Sequence, residues 1–404
     1  MRRKRHKKAK KPRSQSSSTT SVDNSLPTDL IFEIFSRLPA KSIAKFHCVS
    51  KQWTSILDRP DFTDHFLKMS SSRPCLLFTF KVGGKWLFFS APQPLNPDQN
   101  SSSLAVDGHM SSPTITCSLY IHAPVCGFLC AKDLWLGSGC EDPRGMIYNP
   151  STGQFITLPK VRTRRVDVRT YFGFDPINKQ FKVLCMTVCR KPRKETAEEY
   201  QVLTLGTEEK LSWRMIECSL PHKPMCMCRG ICIDGVLYYC ASFDKLSPFS
   251  YAIVCFDVKH ETFRFIENVQ KTWLSVLINC KGKLGVLCCN DGLGISRRTT
   301  SLELHVLDDV EKQKWSYHSY TLPPQLENLF VGDISLGIVG MTCNGEIVFS
   351  QRRLHDPFYI YYYNVEKNTI VRVRIQGIGP AKGQWISTFI DHLENVKRMR
   401  EYWF

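Results

Sequence analysis

Apolar residues recur at two different periods along this chain, and the change from one to the other near Ser70 divides it. From Ser25 to about His65 the spacing is helical: Leu30, Ile34 and Leu38 lie four apart, as do Ile31 and Phe35, so nearly half the circumference of a first helix is apolar. Pro27 suits the first turn, where its missing amide proton costs nothing, Asp29 favours the positive end of the dipole, and Pro39 stops the helix. Residues 40 to 47 predict a second helix with Ile43, Ala44 and Phe46 apolar. Ser50 is an N-cap for a third carrying Trp53, Ile56 and Leu57, and Pro60 opens a fourth with Phe62, Phe66 and Leu67. A segment of about forty residues is too small for a self-sufficient core, so another domain or another protein must cover the surplus. On periodicity alone, an ordinary helical hairpin packed on its own domain is the favoured reading, because amphipathic faces carry no label.

Past Ser70 the pattern becomes short, alternating, aromatic and β-branched runs between turn residues, which predicts an all-β domain. One hairpin recurs: an apolar strand, an Asn or Asp, a short polar turn, and a strand opening on an aromatic or apolar residue. Its copies are Tyr148–Phe155, Phe174–Phe181, Phe256–Phe263 and Tyr363–Ile370, with a looser one at Leu307–Trp315. The Asx side chain can bond the backbone ahead and start the turn. A second, tighter kind centres on glycine at Asp234-Gly235, Lys281-Gly282 and Asn344-Gly345. One hairpin of each kind, the glycine kind leading, makes a four-stranded unit. The later Asx turns sit at 257, 309 and 364, intervals of 52 and 55 residues, near the length of one propeller blade. Radial packing buries both apolar faces of such a sheet; the residual length predicts about six blades, closed by pairing strands near Leu76–Phe80 or Trp86–Phe89 with those near the C-terminus. Residues 91 to 113, with Pro92, Pro94, Pro97 and a serine run, read as an excursion. From Gln384 to Arg400, Ile386, Phe389, Ile390, Leu393 and Val396 fall at helical intervals and predict a short helix on the propeller.

Charge changes the picture at one end. Of the formal +17, nine positives (Arg2, Arg3, Lys4, Arg5, Lys7, Lys8, Lys10, Lys11 and Arg13) stand in residues 2 to 13 without an acid, so the remainder carries 17 minus 9, or +8. This arm has nothing to fold around and, with Ser14 to Ser21, is expected to be disordered. A nuclear import signal is the preferred reading; contact with nucleic-acid phosphates competes, but the arm lacks interleaved aromatics, which disfavours nucleic acid as a partner. No apolar run follows as in a secretory signal and none reaches membrane-spanning length, so a nuclear or cytoplasmic protein with reduced thiols is expected, without a membrane partner. Of the 18 cysteines many, such as Cys185, Cys240, Cys255 and Cys288-Cys289, lie in apolar strand runs as small core residues. His222, Cys226, Cys228 and Cys232 form the one cluster worth testing for a metal, but they offer Cys-x-Cys rather than paired Cys-x-x-Cys, so buried thiols and no metal or cofactor are expected.

The order of residues in the helical segment is more specific than its period. Leu26, Pro27, Asp29, Glu33, Ile34, Arg37, Leu38, Pro39, Lys41, Ser42, Val49, Ser50, Lys51 and Trp53 stand in the spacing of a plant-type F-box, and Pro60, Asp61 and Phe62 also fit. The segment resembles that family, departing only at Ala44-Lys45-Phe46-His47, where an arginine and a bulkier apolar residue are commoner. The resemblance implies docking on the Skp-type adaptor of a cullin-RING ubiquitin ligase. Leu26, Pro27, Ile34, Leu38, Val49 and Trp53 are the expected adaptor contacts, since a few desolvated anchors carry most of a binding energy.

The β region resembles the plant F-box-associated domain in Tyr171–Pro176, Phe181–Leu184, Leu205-Gly206-Thr207, Ser212-Trp213-Arg214, Gly230–Tyr239, Gly282-Lys283-Leu284 and Phe389–His392. The expected architecture is therefore an α+β multidomain chain: a disordered arm (1–24), an all-α F-box (25–69) and an all-β, propeller-like domain (70–404) with a C-terminal helix. The resemblance names no substrate. Loops are the natural contact sites, and Arg162, Arg164, Arg165 and Arg169 with Lys191–Lys194 are candidates for an acidic or phosphorylated target, although exposed charged loops are commonly just solvated. No nucleophile elbow, phosphate-binding loop or metalloprotease helix is present, Gly292-Leu293-Gly294 reads as a turn, and His222, His260, His305 and His318 stand isolated, so no catalytic residue is expected. Three functions remain in play: substrate receptor of an SCF-type ubiquitin ligase, adaptor-bound protein acting without ubiquitin transfer, and nuclear nucleic-acid-associated factor.

Overall fold

A computed structural model describes residues 26–97, 103–111, 119–133, 145–161, 163, 167–188, 197–206, 211–225, 229–243, 251–267, 275–289, 294–324, 326, 330, 335–379 and 381–399. Four helices come first: α1 (Thr28–Ser36), α2 (Ala40–Phe46), α3 (Lys51–Leu57) and α4 (Pro60–Ser71). Their boundaries follow the local chemistry. Pro27 and Pro39 precede α1 and α2, the Trp53 N–H donates to Ser50 Oγ at 3.1 Å to cap α3, and Pro60 opens α4.

Apart from a helical position at Leu326, the regular elements that follow among the described residues are strands. The first blade holds β1 (Cys75–Val82), β2 (Lys85–Pro92) and, after the short β3 (Ser103–Ala105), β4 (Asp107–Ser111). The second is β5 (Leu119–Ile121), β6 (Leu129–Asp133), β7 (Met146–Asn149) and β8 (Gln154–Thr157). The third is β9 (Asp167–Asp175), β10 (Gln180–Val188), β11 (Ala197–Leu205) and β12 (Arg214–Ile216). The fourth is β13 (His222–Pro224), β14 (Ile231–Ile233), β15 (Val236–Phe243), β16 (Tyr251–Asp257) and β17 (Thr262–Glu267). The fifth is β18 (Val276–Cys280), β19 (Lys283–Cys289), β21 (Ser301–Asp309) and β22 (Lys314–Thr321), with β20 (Gly294–Ile295) crossing to the sixth. The sixth is β23 (Leu336–Met341), β24 (Glu346–Gln351), β25 (Phe358–Asn364) and β26 (Thr369–Gln376), and β27 (Ile386–His392) returns to pair antiparallel with β1. The result is a six-bladed β-propeller, with the ring closed between its first and last strands.

Each interface between neighbouring blades is an apolar cluster of its own. Alternation along β1 shows how one strand serves two of them: Leu76, Phe78 and Phe80 face the sixth blade, whereas Leu77 faces the second. Burial on both faces explains the near-continuous apolar runs, and Cys185, Cys240, Cys255 and Cys288 are among the buried free thiols.

The Asx turns form as the sequence implies. Ser151 and Thr152 N–H groups donate to Asn149 Oδ1, those of Ile177 and Asn178 to Asp175, that of His260 to Asp257, those of Glu311 and Lys312 to Asp309, and those of Glu366 and Lys367 to Asn364. Four of these turns join the two outer strands of a blade, but the Asp175 turn joins β9 to β10, an inner pair, so that copy occupies the place filled elsewhere by a glycine turn. In the fourth and fifth blades the glycine turn is the two-residue kind with both central residues at positive φ, 44° and 82° at Asp234-Gly235 and 51° and 87° at Lys281-Gly282.

Two expectations are corrected. The predicted C-terminal helix is β27 followed by irregular chain over residues 393–399. Ile386, Thr388 and Ile390 are β-branched and Phe389 is aromatic, a strand-prone run, and the open edge of β1 supplies a hydrogen-bonding partner that helical spacing cannot anticipate. The stretch after Pro92 is more than an excursion, since β4 extends the first blade and β3 pairs in parallel with β26 of the sixth. The helical domain also runs slightly longer than expected, to Ser71.

Candidate functional site

The helical domain sorts its apolar residues into two sets. Ile31 and Phe35 of α1 pack with Ala40, Ile43, Ile56, Leu57, Phe62 and Phe66, and Phe35, Phe46 and Trp53 meet one another edge-on or tilted at ring separations of 5.0 to 5.2 Å. On the adjoining stripe, about 100° round α1, Leu30 and Ile34 are 49% and 48% exposed, while Leu26 and Val49 are 55% and 58% exposed. Of the six expected adaptor contacts, Leu26, Pro27, Ile34 and Val49 stand on the surface, whereas Leu38 and Trp53 are half-buried against the internal core. Leu30, not among the six, joins the exposed set; its four-residue interval to Ile34 is the signal that marks it.

The inward face is completed by the far end of the chain. Val396 is buried in the same cluster as Ile31 and Phe35. Around it the Ala40 N–H donates to Glu394 Oε1 (3.3 Å), the Glu394 N–H donates to Ser70 Oγ (2.7 Å), and Arg398 pairs with Asp58 at 3.7 Å. Lys179, in the β9–β10 turn, pairs with Asp64, and Lys41 Nζ donates to the Gly108 carbonyl at 3.3 Å. The segment that supplies Val396 is itself fixed to the second blade: Asn149 Nδ2 donates to the carbonyls of Asn395 (3.0 Å) and Lys397 (3.1 Å), and Asn395 Nδ2 donates to that of Cys126 (2.7 Å). Gly127, at φ +86°, makes this approach possible, because a Cβ there would lie 2.6 Å from the Leu393 carbonyl oxygen.

The other sequence candidates divide differently. Arg2, Arg3, Lys4, Arg5, Lys7, Lys8, Lys10, Lys11 and Arg13, together with Arg162, Arg164, Arg165, Lys191–Lys194, Cys226 and Cys228, lie outside the described residues. Arg169 is half-buried near the start of β9. His222 is fully buried on β13, where its Nδ1 lies 2.9 Å from the Leu220 carbonyl and its Nε2 2.7 Å from the Tyr239 hydroxyl. Burial lowers its pKa to about 4, so the ring is neutral, donating from Nδ1 to Leu220 and accepting from Tyr239. Cys218 Sγ sits 3.8 Å from the same Nδ1, but burial pushes the thiol up, which is the reverse of what a thiolate–imidazolium nucleophile requires. Cys232 contacts the Phe174 backbone, and burial raises its thiol to about 11. Among the described residues no group of three His, Cys, Asp or Glu side chains is placed to hold a metal ion, and no helix is long and apolar enough to cross a membrane.

Comparison with known proteins agrees with this architecture. Residues 24–65 match the F-box domain and residues 75–393 match the F-box associated beta propeller domain. In Arabidopsis thaliana, the F-box protein At3g49450 is 48% identical over 371 residues, covering 92% of this chain and 91% of its own. F-box protein DOR from the same plant is 45% identical over 375 residues, covering 92% and 93%. Among solved structures, a putative 6-phosphogluconolactonase from Bacteroides fragilis overlays 78% of this chain and 98% of its own at a TM-score of 0.36 and 9% identity, a likeness that supports no functional inference. With the two domains matched over nearly all of the described length, the chain belongs to the plant F-box proteins that carry an F-box-associated β-propeller.

Proposed function

We propose that this protein is the substrate-recognition subunit of an SCF-type E3 ubiquitin ligase. Its F-box docks on a Skp-type adaptor and, through it, on a cullin-RING scaffold, and the propeller holds a protein target for ubiquitylation by other subunits. The observation that carries this reading is the outward apolar set of Leu26, Leu30, Ile34 and Val49, which nothing among the described residues of the chain covers although the inward set is sealed by Val396. Half-exposed aliphatic residues clustered on one small domain are what a protein interface uses as anchors. The propeller's strands are occupied in blade packing, which leaves loops and the central channel for recognition.

Affinity purification of the full chain tests the proposal. Adaptor and cullin are expected with the wild type and absent with Ile34→Asp, and a protein that accumulates only when the F-box is broken would be the target. Adaptor capture without any accumulating protein would point to an adaptor-bound role lacking ubiquitin transfer. Absence of adaptor and cullin from the wild-type preparation would refute both. The basic arm, Arg2 to Arg13, is taken as a nuclear import signal, with the protein in nucleus or cytoplasm according to its use.

A further inference from the structure

The chain that leads into the closing strand turns its largest apolar side chain outward. Leu354, Ala381 and Ile386 pack into the cluster between the sixth and first blades, whereas Trp385, next to Ile386, is 59% exposed. The backbone beneath it is paired. Residues 352–354, after β24, run antiparallel to residues 383–386, before β27: the Leu354 N–H donates to the Gln384 carbonyl (2.8 Å), the Gly383 N–H to that of Leu354 (2.7 Å) and the Ile386 N–H to that of Arg352 (3.1 Å). The Gln384 N–H closes a turn on the Ala381 carbonyl at 3.1 Å. Trp385 is therefore presented from a hydrogen-bonded platform, and holding it in place for a partner costs little further entropy.

Arg353 occupies one face of the indole. Its guanidinium lies 4.5 Å from the ring centre, and its Nη1 donates to the Gly383 carbonyl at 2.9 Å. Space remains beside this stack, since a Cβ on Gly379 or Gly383 would meet no described atom within 4 Å. The local charge has one sign. Connections 352–357 and 377–385 hold Arg352, Arg353 and Lys382 against a single acid, Asp356, which pairs with Arg374 at 3.5 Å. Lys382 is exposed in the same turn that leads to Trp385.

We propose that Trp385, Arg353 and Lys382 form a docking surface for an extended acidic segment of a partner protein that also carries an aromatic or aliphatic side chain. The apolar side chain lies on the open face of the indole, and neighbouring carboxylates accept from the Arg353 guanidinium and the Lys382 ammonium. A tryptophan on a rigid support is the residue type that carries most of the energy of a small interface. Arginine forks match carboxylates, and a basic segment would meet like charge. Trp385 also stands on the lining of a cavity of about 400 Å³ walled by the innermost strands β14, β18, β23 and β27, which gives the apolar side chain room beside the ring.

The position leaves both ends of the protein usable at once. β27 starts directly after Trp385, and the chain that leaves it supplies Glu394 and Val396 to the helical domain. Seven strand residues at about 3.3 Å each put roughly 23 Å between Trp385 and that end. A segment docked at Trp385 thus leaves Leu26, Leu30, Ile34 and Val49 clear. Taking the partner as a degradation target rests on the receptor proposal above; the docking chemistry does not.

The test uses the full chain, with its adaptor where the two co-purify and otherwise by itself. Fluorescence anisotropy is followed with a short labelled peptide repeating Asp-Glu-Phe, beside a charge-reversed Lys-Arg-Phe repeat and an Asp-Glu-Ser repeat without apolar side chains. Saturable binding of the first is expected, with the other two at least tenfold weaker. Trp385→Ala should weaken it at least tenfold and Arg353→Gln or Lys382→Glu several-fold, with melting temperature and adaptor capture unchanged. Should Trp385→Ala fail to fold, Lys382→Glu, at an exposed turn position, and Trp385→Phe, which keeps an aromatic face and should retain most of the binding, decide. No binding of the Asp-Glu-Phe peptide, equal binding of either control peptide, or equal binding by folded Trp385→Ala overturns the proposal, even where adaptor capture is intact. Peptide binding that depends on Trp385 in a protein that never captures adaptor or cullin would instead sink the receptor reading and leave the docking surface standing.

Discussion

Two isoleucines three positions apart on α1 should fail in opposite ways. Ile31 is 6% exposed inside the helical core and Ile34 is 48% exposed on the neighbouring stripe of the same helix. Full burial of such a side chain is worth about 1.5–3 kcal/mol, so covering the remaining half of Ile34 with a partner yields about 1 kcal/mol. The four exposed residues Leu26, Leu30, Ile34 and Val49 together then yield about 4 kcal/mol. Ile34→Ala should weaken adaptor binding by about fivefold, with little change in melting temperature. Ile34→Asp adds the cost of desolvating a carboxylate, several kcal/mol, and should weaken it by at least about a hundredfold. Ile31→Ala leaves a cavity beside Phe35, Phe62 and Val396 and should cost about 2–5 kcal/mol of stability. Surface plasmon resonance against purified adaptor, with thermal melts of the same preparations, separates the two. If Ile34→Asp binds as tightly as wild type, or Ile34→Ala melts as low as Ile31→Ala, the division into inward and outward faces is wrong.

Other consequences follow from buried polar groups and from the termini. His222 is held neutral with a pKa near 4 by burial, against about 6.5 in an unfolded chain, so its contribution is complete above pH 6.5 and is lost as pH falls toward 4. From this group about 2 kcal/mol should be gone by pH 5, and the pH dependence of the melting temperature between 7 and 5 should flatten in His222→Asn. Burial opposes ionisation of Glu261, but Arg214 and Lys182 outweigh it and hold the carboxylate below its ordinary range. Because Lys182 is itself buried, with Nζ 2.8 Å from Glu261 Oε1, Glu261→Ala should cost about 3–5 kcal/mol in a denaturant titration, and Arg214→Ala, at the exposed end, much less. Deleting residues 2–13 should exclude a fluorescent fusion from the nucleus without changing nucleic-acid retention; salt-sensitive binding that disappears with the arm would overturn the import reading.

What the sequence disclosed was whatever its neighbours in the chain decide. An Asx turn needs only Asn149 or Asp257 and the next few amides, so every such hairpin could be placed. The order of residues from Leu26 to Trp53 carried the F-box. Its period could not say that Leu38 and Trp53 lean inward, because that depends on where α3 and α4 cross α1. The C-terminal strand was hidden because Ile386, Phe389 and Ile390 satisfy a helical spacing as well as a strand, and only the unpaired edge of β1 decides between them. That Arg229 and Arg352 both line one cavity of the propeller was illegible for a related reason: each stands beside a strand like an ordinary polar residue, and only the packing of the blades brings them together. Gly294, which reads as part of a turn, leaves room for the Arg352 guanidinium.

The same closure ties the two domains together. β27 completes the first blade by pairing with β1, and the chain that leaves it passes Gly127, is held by Asn149, and ends its path in the F-box core at Val396. Ring closure and F-box placement therefore share one covalent segment, so disturbing either must disturb the other. Gly127→Ala is the sharpest probe, since a methyl group there would strike the Leu393 carbonyl and the Asn395 Cβ at 2.7 Å or less in a backbone conformation that disfavours any side chain. The expected outcome is a lower melting temperature together with faster hydrogen exchange in β27, residues 393–399 and the buried face of α1, while the exposed face keeps its adaptor affinity. Exchange that rises in the blade but not in α1 would mean that Val396 is held by the helices independently of the strand before it, and the coupling of the two domains through this segment would have to be abandoned.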